Sequence, residues 1–395
     1  MPDDLSCQPV KEACALFKNV NIFDGKNEAL QKGMCVLVKG NKIAKIAASI
    51  DASDAAAHVI DGQGRTLMPG LVAMHEHLML QMSHSEALSN DTCYFAYVAT
   101  ETVKIYLMNG FTSICDAAGN SYSLNKAIQK GCIVGPRIFP SGPLILQTAG
   151  HGDQRVGANP SCFCDLSSHD NLYKMGDMIV ADGVPEVLKA ARENLRLGST
   201  QIKIAVGGGT GTQSDPLEVI EYTADEIRAA VNVAEDFQTY VMAHVHNPRG
   251  IRWAIDCGVK SIEHGNLVDE PTLQLMKEKG VWLSPQVSVY TFIPHGYTED
   301  QAAKHRQAYA GLDNVFKTAK KIGFENIVFG SDIITDMAMV RRAPKELTHR
   351  AKWFTPAEVL KQATYNGGEL LQLSKWYNPA GLDWWKKAPW LTHCW

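Results

Sequence analysis

The sequence predicts an α/β fold, a (β/α)8 barrel of the TIM type joined to a small and incomplete β-sandwich domain. Residues 1–66 carry short alternating runs typical of hairpins, and residues 67–374 contain eight short apolar runs separated by helical or long-loop segments. Eight such units over about 300 residues fit this barrel with insertions. An open doubly wound sheet is the alternative architecture, but no glycine-rich dinucleotide fingerprint follows a first strand.

Composition narrows the class of protein. The chain has 395 residues, of which 45% are hydrophobic, so it can bury a large core. Its net charge of -4 and the lack of a basic run exclude nucleic acid and an anionic membrane surface as partners. No stretch reaches the roughly 18 apolar residues of a membrane span, and the first residues lack an apolar signal segment. Ten scattered cysteines fit reduced thiols, so we expect a cytoplasmic protein.

Short strands account for the N-terminal segment. The predicted strands cover residues 15–20, 34–38 and 42–46. Turn-like residues separate them at 24–27 and 39–41, which indicates hairpins. This segment is expected to contribute the small sheet that precedes the barrel.

The barrel segment alternates apolar runs with helices that carry their own start and stop signals. After the run that ends at His75, the predicted strands are 112–116, 137–141, 201–204, 240–244, 261–264, 282–285 and 327–332. Thr223 and Thr355 each precede a glutamate by three residues, which predicts capping boxes. Apolar residues from Val184 to Leu195 repeat at helical spacing and stop before Gly198.

Residues able to bind metal stand at the ends of these strands. Side chains alternate along a strand, so two histidines one residue apart point the same way. The candidate metal ligands are His75 and His77 after the first strand, Lys203 in the fourth, His244 and His264 ending the fifth and sixth, and Asp332 ending the eighth. The strand ends of a barrel open on one face, where active sites lie. Each residue alone could be structural, but six such placements together predict a metal centre.

A lysine among histidines requires an explanation, because a protonated amine cannot bind a metal. Carboxylation of Lys203 by carbon dioxide would give an anionic carbamate with two oxygens that can bridge two divalent ions. His75, His77 and Asp332 would surround one ion, and His244 and His264 the other. Zinc suits imidazole and carboxylate ligands best, although manganese or cobalt would also fit.

The chain resembles the amidohydrolase superfamily. The resemblance is to the subgroup of microbial Xaa-Pro dipeptidases, aryl-organophosphate hydrolases and imidazolonepropionases. The motifs that carry the resemblance lie at residues 68–71, 75–77, 148–153, 181–183, 201–204, 243–246, 261–265 and 330–332. One departure is Ala73, where the family usually has an aspartate. The loss of that carboxylate behind the metal ligands would weaken metal affinity.

The resemblance implies a function. It implies hydrolysis of an amide bond, peptide-like or cyclic, by a hydroxide that bridges two metals, with Asp332 as general base and proton shuttle. His151 and Tyr222 are the candidate substrate contacts, with loop packing as the equal alternative for both, and His246 is expected to support the ligands or the core. The expected partner is a small amide or dipeptide-like substrate.

Two other classes of function remain open. A mononuclear deaminase would have no use for Lys203, so the number of metal ions per chain distinguishes it from a hydrolase. A non-catalytic homologue acting as a binding protein is the second alternative.

Residues 375–395 depart from the rest of the chain. Four of its eight tryptophans lie among the last fourteen residues. Codons for residues 382–395 can be chosen that, read two bases later, encode Gly-Leu-Val-Glu-Glu-Gly-Ala-Leu-Ala-Asp, which resembles the family's continuation. We therefore expect a reading-frame change near Gly381, which leaves the small sheet with unpaired edges that favour aggregation or a homo-oligomer. A genuine tail that packs its tryptophans or binds a partner is the alternative.

Overall fold

A computed structural model describes residues 14–40, 42–51, 58–154 and 175–378. Apart from residues 375–378, the tail expected to be aberrant lies outside the described residues. The described residues fall into two compact units that divide between Gly70 and Leu71.

The first unit is a five-stranded sheet. Its strands are β1 (Cys14–Ile22), β2 (Gln31–Lys39), β3 (Lys42–Ala47), β4 (His58–Asp61) and β5 (Thr66–Leu67). Strand β1 is antiparallel to β2, β2 is antiparallel to β3, and β4 and β5 run parallel to β1. The three predicted strands and their hairpins are confirmed. Leu16, Val20 and Val36 are buried in the cores of this sheet.

The second unit contains parallel strands. They are β6 (Leu71–Glu76), β7 (Phe111–Asp116), β8 (Arg137–Pro140), β9 (Leu144–Leu146), β10 (Met178–Val180), β11 (Ile202–Ala205), β12 (Val241–Val245), β13 (Ser261–His264) and β14 (Trp282–Ser284). One sheet has the order β6-β7-β8, and the other has the order β10-β9-β11-β12-β13-β14. Every residue of β6, β7, β11, β12 and β13 is buried, as expected where both faces of a parallel sheet are covered.

The eight predicted strands do not form one closed sheet in the described residues. Strand β8 ends at Pro140, which has no N–H to extend the ladder. Its carbonyl accepts a hydrogen bond from the Thr200 amide at 2.8 Å, just before β11. The predicted strand at 327–332 is an irregular segment that pairs with β14 through a single bridge, Leu283 to Ile327.

That irregular segment still connects the two sheets. The Val328 amide donates to the Leu283 carbonyl of β14 at 2.9 Å, and the Met74 amide of β6 donates to the Phe329 carbonyl at 2.6 Å. At its end, the Asp332 amide donates to the His75 carbonyl at 3.1 Å. The chain before Asp332 therefore lies between β14 and β6.

Helices follow most of these strands. They are α1 (His84–Ser89), α2 (Thr92–Met108), α3 (Tyr122–Gln129), α4 (Val184–Leu197), α5 (Ala224–Asp236), α6 (Pro248–Asp256), α7 (Glu270–Lys279), α8 (Glu299–Ile322), α9 (Met337–Val340), α10 (Lys345–Arg350), α11 (Pro356–Lys361) and α12 (Gly367–Leu371). The capping boxes at Thr223 and Thr355 are confirmed, and Gly198 ends α4 with a φ of 114°. Among the described helices, none combines the length and the apolar character needed to cross a bilayer.

A buried arginine joins the irregular segment to its surroundings. The Arg350 side chain, fully buried, donates to the carboxylate of Glu346 at 2.7 Å, to the carbonyl of Val328 at 2.8 Å and to the Gln362 side chain at 2.8 Å. It also donates to the Pro285 carbonyl after β14. Arg350 thus neutralises a buried carboxylate and satisfies two carbonyls where the sheets meet.

Replacing Arg350 by methionine is expected to lower the free energy of unfolding by about 3–5 kcal/mol, because it leaves Glu346 as a buried, unpaired charge. Chemical denaturation with a matched Arg196→Met control measures this. Arg196 is exposed and pairs with Glu193 on the surface of α4, so its replacement should leave the midpoint unchanged. Equal midpoints for the two variants would contradict a structural role for Arg350.

Candidate active site

Five of the six candidate metal ligands lie at or near the carboxyl ends of their strands or segments, as the sequence predicts, and Lys203 lies within β11. Their positions are His75 on β6, His77 just after it, Lys203 on β11, His244 on β12, His264 at the end of β13 and Asp332 at the end of the irregular segment. All are buried except His77, which is half-buried. Short contacts between their side chains arrange the histidines and Asp332 in two groups.

One group comprises His75, His77 and Asp332. The Asp332 Oδ1 atom lies 3.2 Å from His77 Nε2 and 3.5 Å from His75 Nε2. One ligand atom from each residue lies within 4.8 Å of the others, so the three can hold a metal ion after a small contraction. His77 Nδ1 is buried without a hydrogen-bond partner among the described residues.

A second group comprises three histidines. His244 and His264 have ring centroids 4.3 Å apart, and the His246 ring lies 5.0 Å from that of His264. Their ligand atoms also lie within 4.8 Å of one another. Both ring nitrogens of His246 are buried without a partner in the described chain. His246 therefore stands among the groups that could hold metal, rather than only behind them.

The two groups meet at Asp332 and His264. Asp332 Oδ2 lies 3.8 Å from His264 Nδ1, and the His75 and His264 rings lie 4.8 Å apart. Both His264 and Asp332 have a positive φ, 69° and 53° respectively. Such a backbone is unfavourable for residues with a Cβ and often marks functional sites.

Lys203 is buried within this cluster. Burial lowers its pKa, and the charges of Glu263 and Asp332 partly oppose that shift. Burial, followed by the positive charge of Lys203, also sets the pKa of His75 well below its usual value. The pKa values of His244 and His264 are likewise far below normal, chiefly through burial. These imidazoles are therefore neutral and keep lone pairs for a metal.

Sequence reasoning missed a carboxylate that orients His75. Glu263 Oε2 lies 2.6 Å from His75 Nδ1, and the Ser261 hydroxyl donates to Glu263 Oε1 at 2.6 Å. The carboxylate of Glu263 accepts a hydrogen bond from Nδ1 of His75. The other ring nitrogen, Nε2, therefore faces Asp332. Burial raises the pKa of Glu263. The available signal was a glutamate inside an otherwise uncharged buried strand.

Glu76 is a second missed residue. Its carboxylate accepts hydrogen bonds from the Tyr106 hydroxyl at 2.6 Å and from the Ser331 amide and hydroxyl at 2.8 and 2.7 Å. Burial raises its pKa to about 7. Glu76 therefore ties the end of β6, between His75 and His77, to the residue before Asp332.

The two candidate substrate contacts have different surroundings. The His151 ring stacks on that of His244 at 3.7 Å with an angle of 8° between planes, so it joins the cluster. Tyr222 is buried, and its hydroxyl donates to the Ala181 carbonyl at 2.8 Å. The Tyr222 amide donates to Gln147 Oε1 at 2.8 Å. The described bonds of Tyr222 hold loops together and do not reach the histidines.

The glycine-rich stretch at 207–211 lies against the histidines. A Cβ on Gly209 would lie 2.2 Å from His151 Nδ1 and 2.8 Å from His244 Nε2. A Cβ on Gly208 would lie 2.0 Å from the Pro216 carbonyl oxygen. Close approach of the backbone to its neighbours explains Gly208 and Gly209.

Comparison with known proteins identifies a family. The model of the amidohydrolase family matches residues 66–376. Ochratoxinase of Aspergillus niger is 33% identical over 269 residues, which cover 66% of this chain and 55% of that protein. The chain therefore matches only about half of the length of the curated relatives that it resembles.

Solved structures agree with this family. A prolidase in complex with N-methylphosphonate-L-proline superimposes with a TM-score of 0.85 at 32% identity, covering 91% of this chain and 88% of that one. The Aspergillus niger ochratoxinase structure gives a TM-score of 0.80 at 27% identity, covering 92% and 85%. A Xaa-Pro dipeptidase with bound methionine gives 0.78 at 28% identity, covering 92% and 89%. This chain belongs to the amidohydrolase family.

Proposed function

We propose that the protein is a metal-dependent hydrolase that cleaves an amide bond between an acyl group and an amino acid. The observation that carries the proposal is a pair of groups able to bind metal around one buried lysine. One group comprises His75, His77 and Asp332, and the other comprises His244, His246 and His264. The activities named for similar proteins support the substrate class. They include a prolidase, a Xaa-Pro dipeptidase and an ochratoxinase.

The residues present fit two divalent ions, for which we propose zinc. His77 Nδ1 and both nitrogens of His246 are buried without partners in the described chain, although buried polar atoms are normally bonded. The lowered pKa values of His75, His244 and His264 keep these imidazoles in the form that binds metal. Imidazole and carboxylate oxygen are ligands that zinc prefers.

Lys203 would be carboxylated in this site. Burial lowers the pKa of the lysine, which increases the fraction of free amine. The amine nitrogen forms a bond to the carbon of carbon dioxide and loses one proton, which gives an anionic carbamate. An anion removes the conflict between an ammonium and two dications.

The reaction needs proton transfers that the chain can perform. Two bound ions would lower the pKa of a water molecule and polarise the amide carbonyl. Asp332, whose Oδ1 lies within 3.5 Å of both His75 and His77, is placed to take a proton from the attacking water as its oxygen bonds to the amide carbon. It would return that proton to the leaving nitrogen as the C–N bond breaks. Glu263 holds His75 in place during these steps, and His151 contacts the substrate from the face of His244.

We also propose that the parallel sheets belong to a (β/α)8 barrel. The hydrogen bonds of the irregular segment to β14 and β6, and that of Thr200 to Pro140, connect the two sheets at both of their junctions. The eight segments that the sequence predicts as strands would then surround the core, with β9 and β10 in addition to them.

A screen of the zinc-loaded protein against N-acyl amino acids and Xaa-Pro dipeptides tests the function. We expect hydrolysis of at least one substrate class, with two metal ions per chain by elemental analysis and loss of activity after chelation. One ion per chain with activity on an amino-purine or amino-pyrimidine panel would favour a mononuclear deaminase. Two bound ions without turnover of any amide would favour a binding protein.

A further inference from the structure

A second polar network lies behind His151, and the proposed reaction does not use it. It consists of Asp215 and Glu221 in the loop after β11 and Lys304 on α8. All three side chains are buried. Burying charged groups is costly unless each has a partner, so such a network requires a structural or functional reason.

Contacts fix His151 at its backbone, at one ring nitrogen and at one ring face. Its amide donates to both carboxylate oxygens of Glu221, at 2.8 and 3.0 Å. Its Nδ1 lies 2.9 Å from Asp215 Oδ2, and its ring lies flat on His244. The backbone of Gly209 occupies the space beside Nδ1, where even a methyl group would collide.

Asp215 is itself held rigidly. Its Oδ2 accepts a second hydrogen bond from the Gly209 amide at 2.7 Å, and its Oδ1 lies 3.4 Å from Lys304 Nζ. Lys304 also donates to the Thr212 carbonyl at 2.6 Å. The side chain of Asp215 has no exposure, whereas that of His151 keeps 19%. The lysine balances the charge of the carboxylate.

This arrangement determines which nitrogen of a neutral His151 carries the proton. An ionised carboxylate only accepts hydrogen bonds, so Nδ1 must donate. Nε2 then keeps its lone pair. Among the described residues none forms a hydrogen bond with that nitrogen.

We propose that Asp215 is a positioning residue that holds His151 flat on His244 as its Nδ1–H tautomer and leaves Nε2 as a hydrogen-bond acceptor for the substrate. The role of Nε2 in binding the substrate rests on the proposed function, in which His151 contacts the substrate. A substrate that offers an N–H or O–H group at this position is favoured, as in a secondary amide of an amino acid.

The tautomer can be observed without metal or turnover. In the full metal-free chain labelled with ¹⁵N-histidine, long-range ¹H–¹⁵N correlation at a pH where histidines are neutral should show His151 protonated at Nδ1. The signal is assigned by its loss in His151→Gln. Asp215→Ala should shift the signal towards the Nε2–H form. A wild-type Nε2–H tautomer, or no change in Asp215→Ala, would overturn the proposal.

Two further variants separate positioning from simple loss of structure. Asp215→Leu combined with Lys304→Met replaces the whole ion pair by apolar groups, a change that buried pairs often tolerate. This double variant should give the same tautomer shift if Asp215→Ala does not fold.

Glu221→Gln is the matched control, because Glu221 holds the backbone of His151 and not its ring. Glutamine has nearly the same shape as this glutamate and still offers an oxygen to the His151 amide. This variant should keep the Nδ1–H signal, and a shift in it would count against Asp215.

Kinetics give an independent measurement. For the best substrate of the panel, Asp215→Ala should lower kcat/KM by about 10–100-fold, as orienting residues do, with two metal ions still bound. Unchanged kcat/KM would contradict the role in substrate binding. If the wild-type protein hydrolyses nothing but His151 is Nδ1–H, the proposed function fails while the assignment of Asp215 as the residue that fixes the tautomer stands.

Discussion

Lys203→Ala is expected to lower turnover by about 10³-fold or more. The reason is that a metal ion that polarises a carbonyl contributes several kcal/mol to catalysis, and each 1.36 kcal/mol is a factor of ten in rate. Without a carbamate, we expect one ion per chain by elemental analysis, held by His75, His77 and Asp332.

Chemical rescue of this variant identifies what the lysine supplies. Added acetate or propionate should restore part of the activity, because a carboxylate can replace the carbamate. Rescue by methylamine instead would indicate that the site uses an ammonium group. Full activity with two ions would exclude Lys203 as a ligand. Two ions with low activity would mean that His246 completes the second site with His244 and His264, whose ligand atoms lie within 4.8 Å of its own.

Asp332→Asn should lower kcat by about 10²–10⁴-fold, the usual contribution of a general base. The variant keeps a ligand oxygen, so most of the metal should remain bound. A lower kcat with unchanged metal content by elemental analysis would separate the loss of the base from the loss of a metal ion.

Asp336→Asn is the matched control for this experiment. Asp336 lies four residues further on, is exposed and caps α9, so its replacement should leave kcat and the metal content unchanged. A kcat in Asp332→Asn equal to that of the wild type would exclude Asp332 as the base.

Much of the fold was predictable because local signals and the final structure agree. The capping boxes at Thr223 and Thr355, the end of α4 at Gly198 and the first three strands follow from residue type and spacing. The irregular segment before Asp332 was predicted as a strand because Ile327, Val328 and Phe329 are apolar. Its backbone instead approaches β6 too closely for a side chain at position 330, where a Cβ would lie 2.8 Å from the His75 amide nitrogen.

The site was only partly predictable. His75, His77, His244, His264 and Asp332 could be found because they end strands, and strand ends converge. Glu263, Glu76 and Asp215 could not, because their roles depend on partners that are distant in sequence. His75 and Glu263, for example, are 188 residues apart. Only the charge of these residues in a buried setting distinguishes them, and burial is a property of the fold.

The glycines at 207–209 affect how the specificity of this protein could change during evolution. At positions 208 and 209 a side chain would collide with Pro216 or with His151 and His244. That wall of the site is therefore main chain, whose chemistry is the same for every amino acid. A point mutation there cannot change the size, charge or shape of this wall without displacing Pro216 or a histidine. New substrates must be accommodated by changes in other loops, and a mutant library that spares these glycines should retain the most functional members.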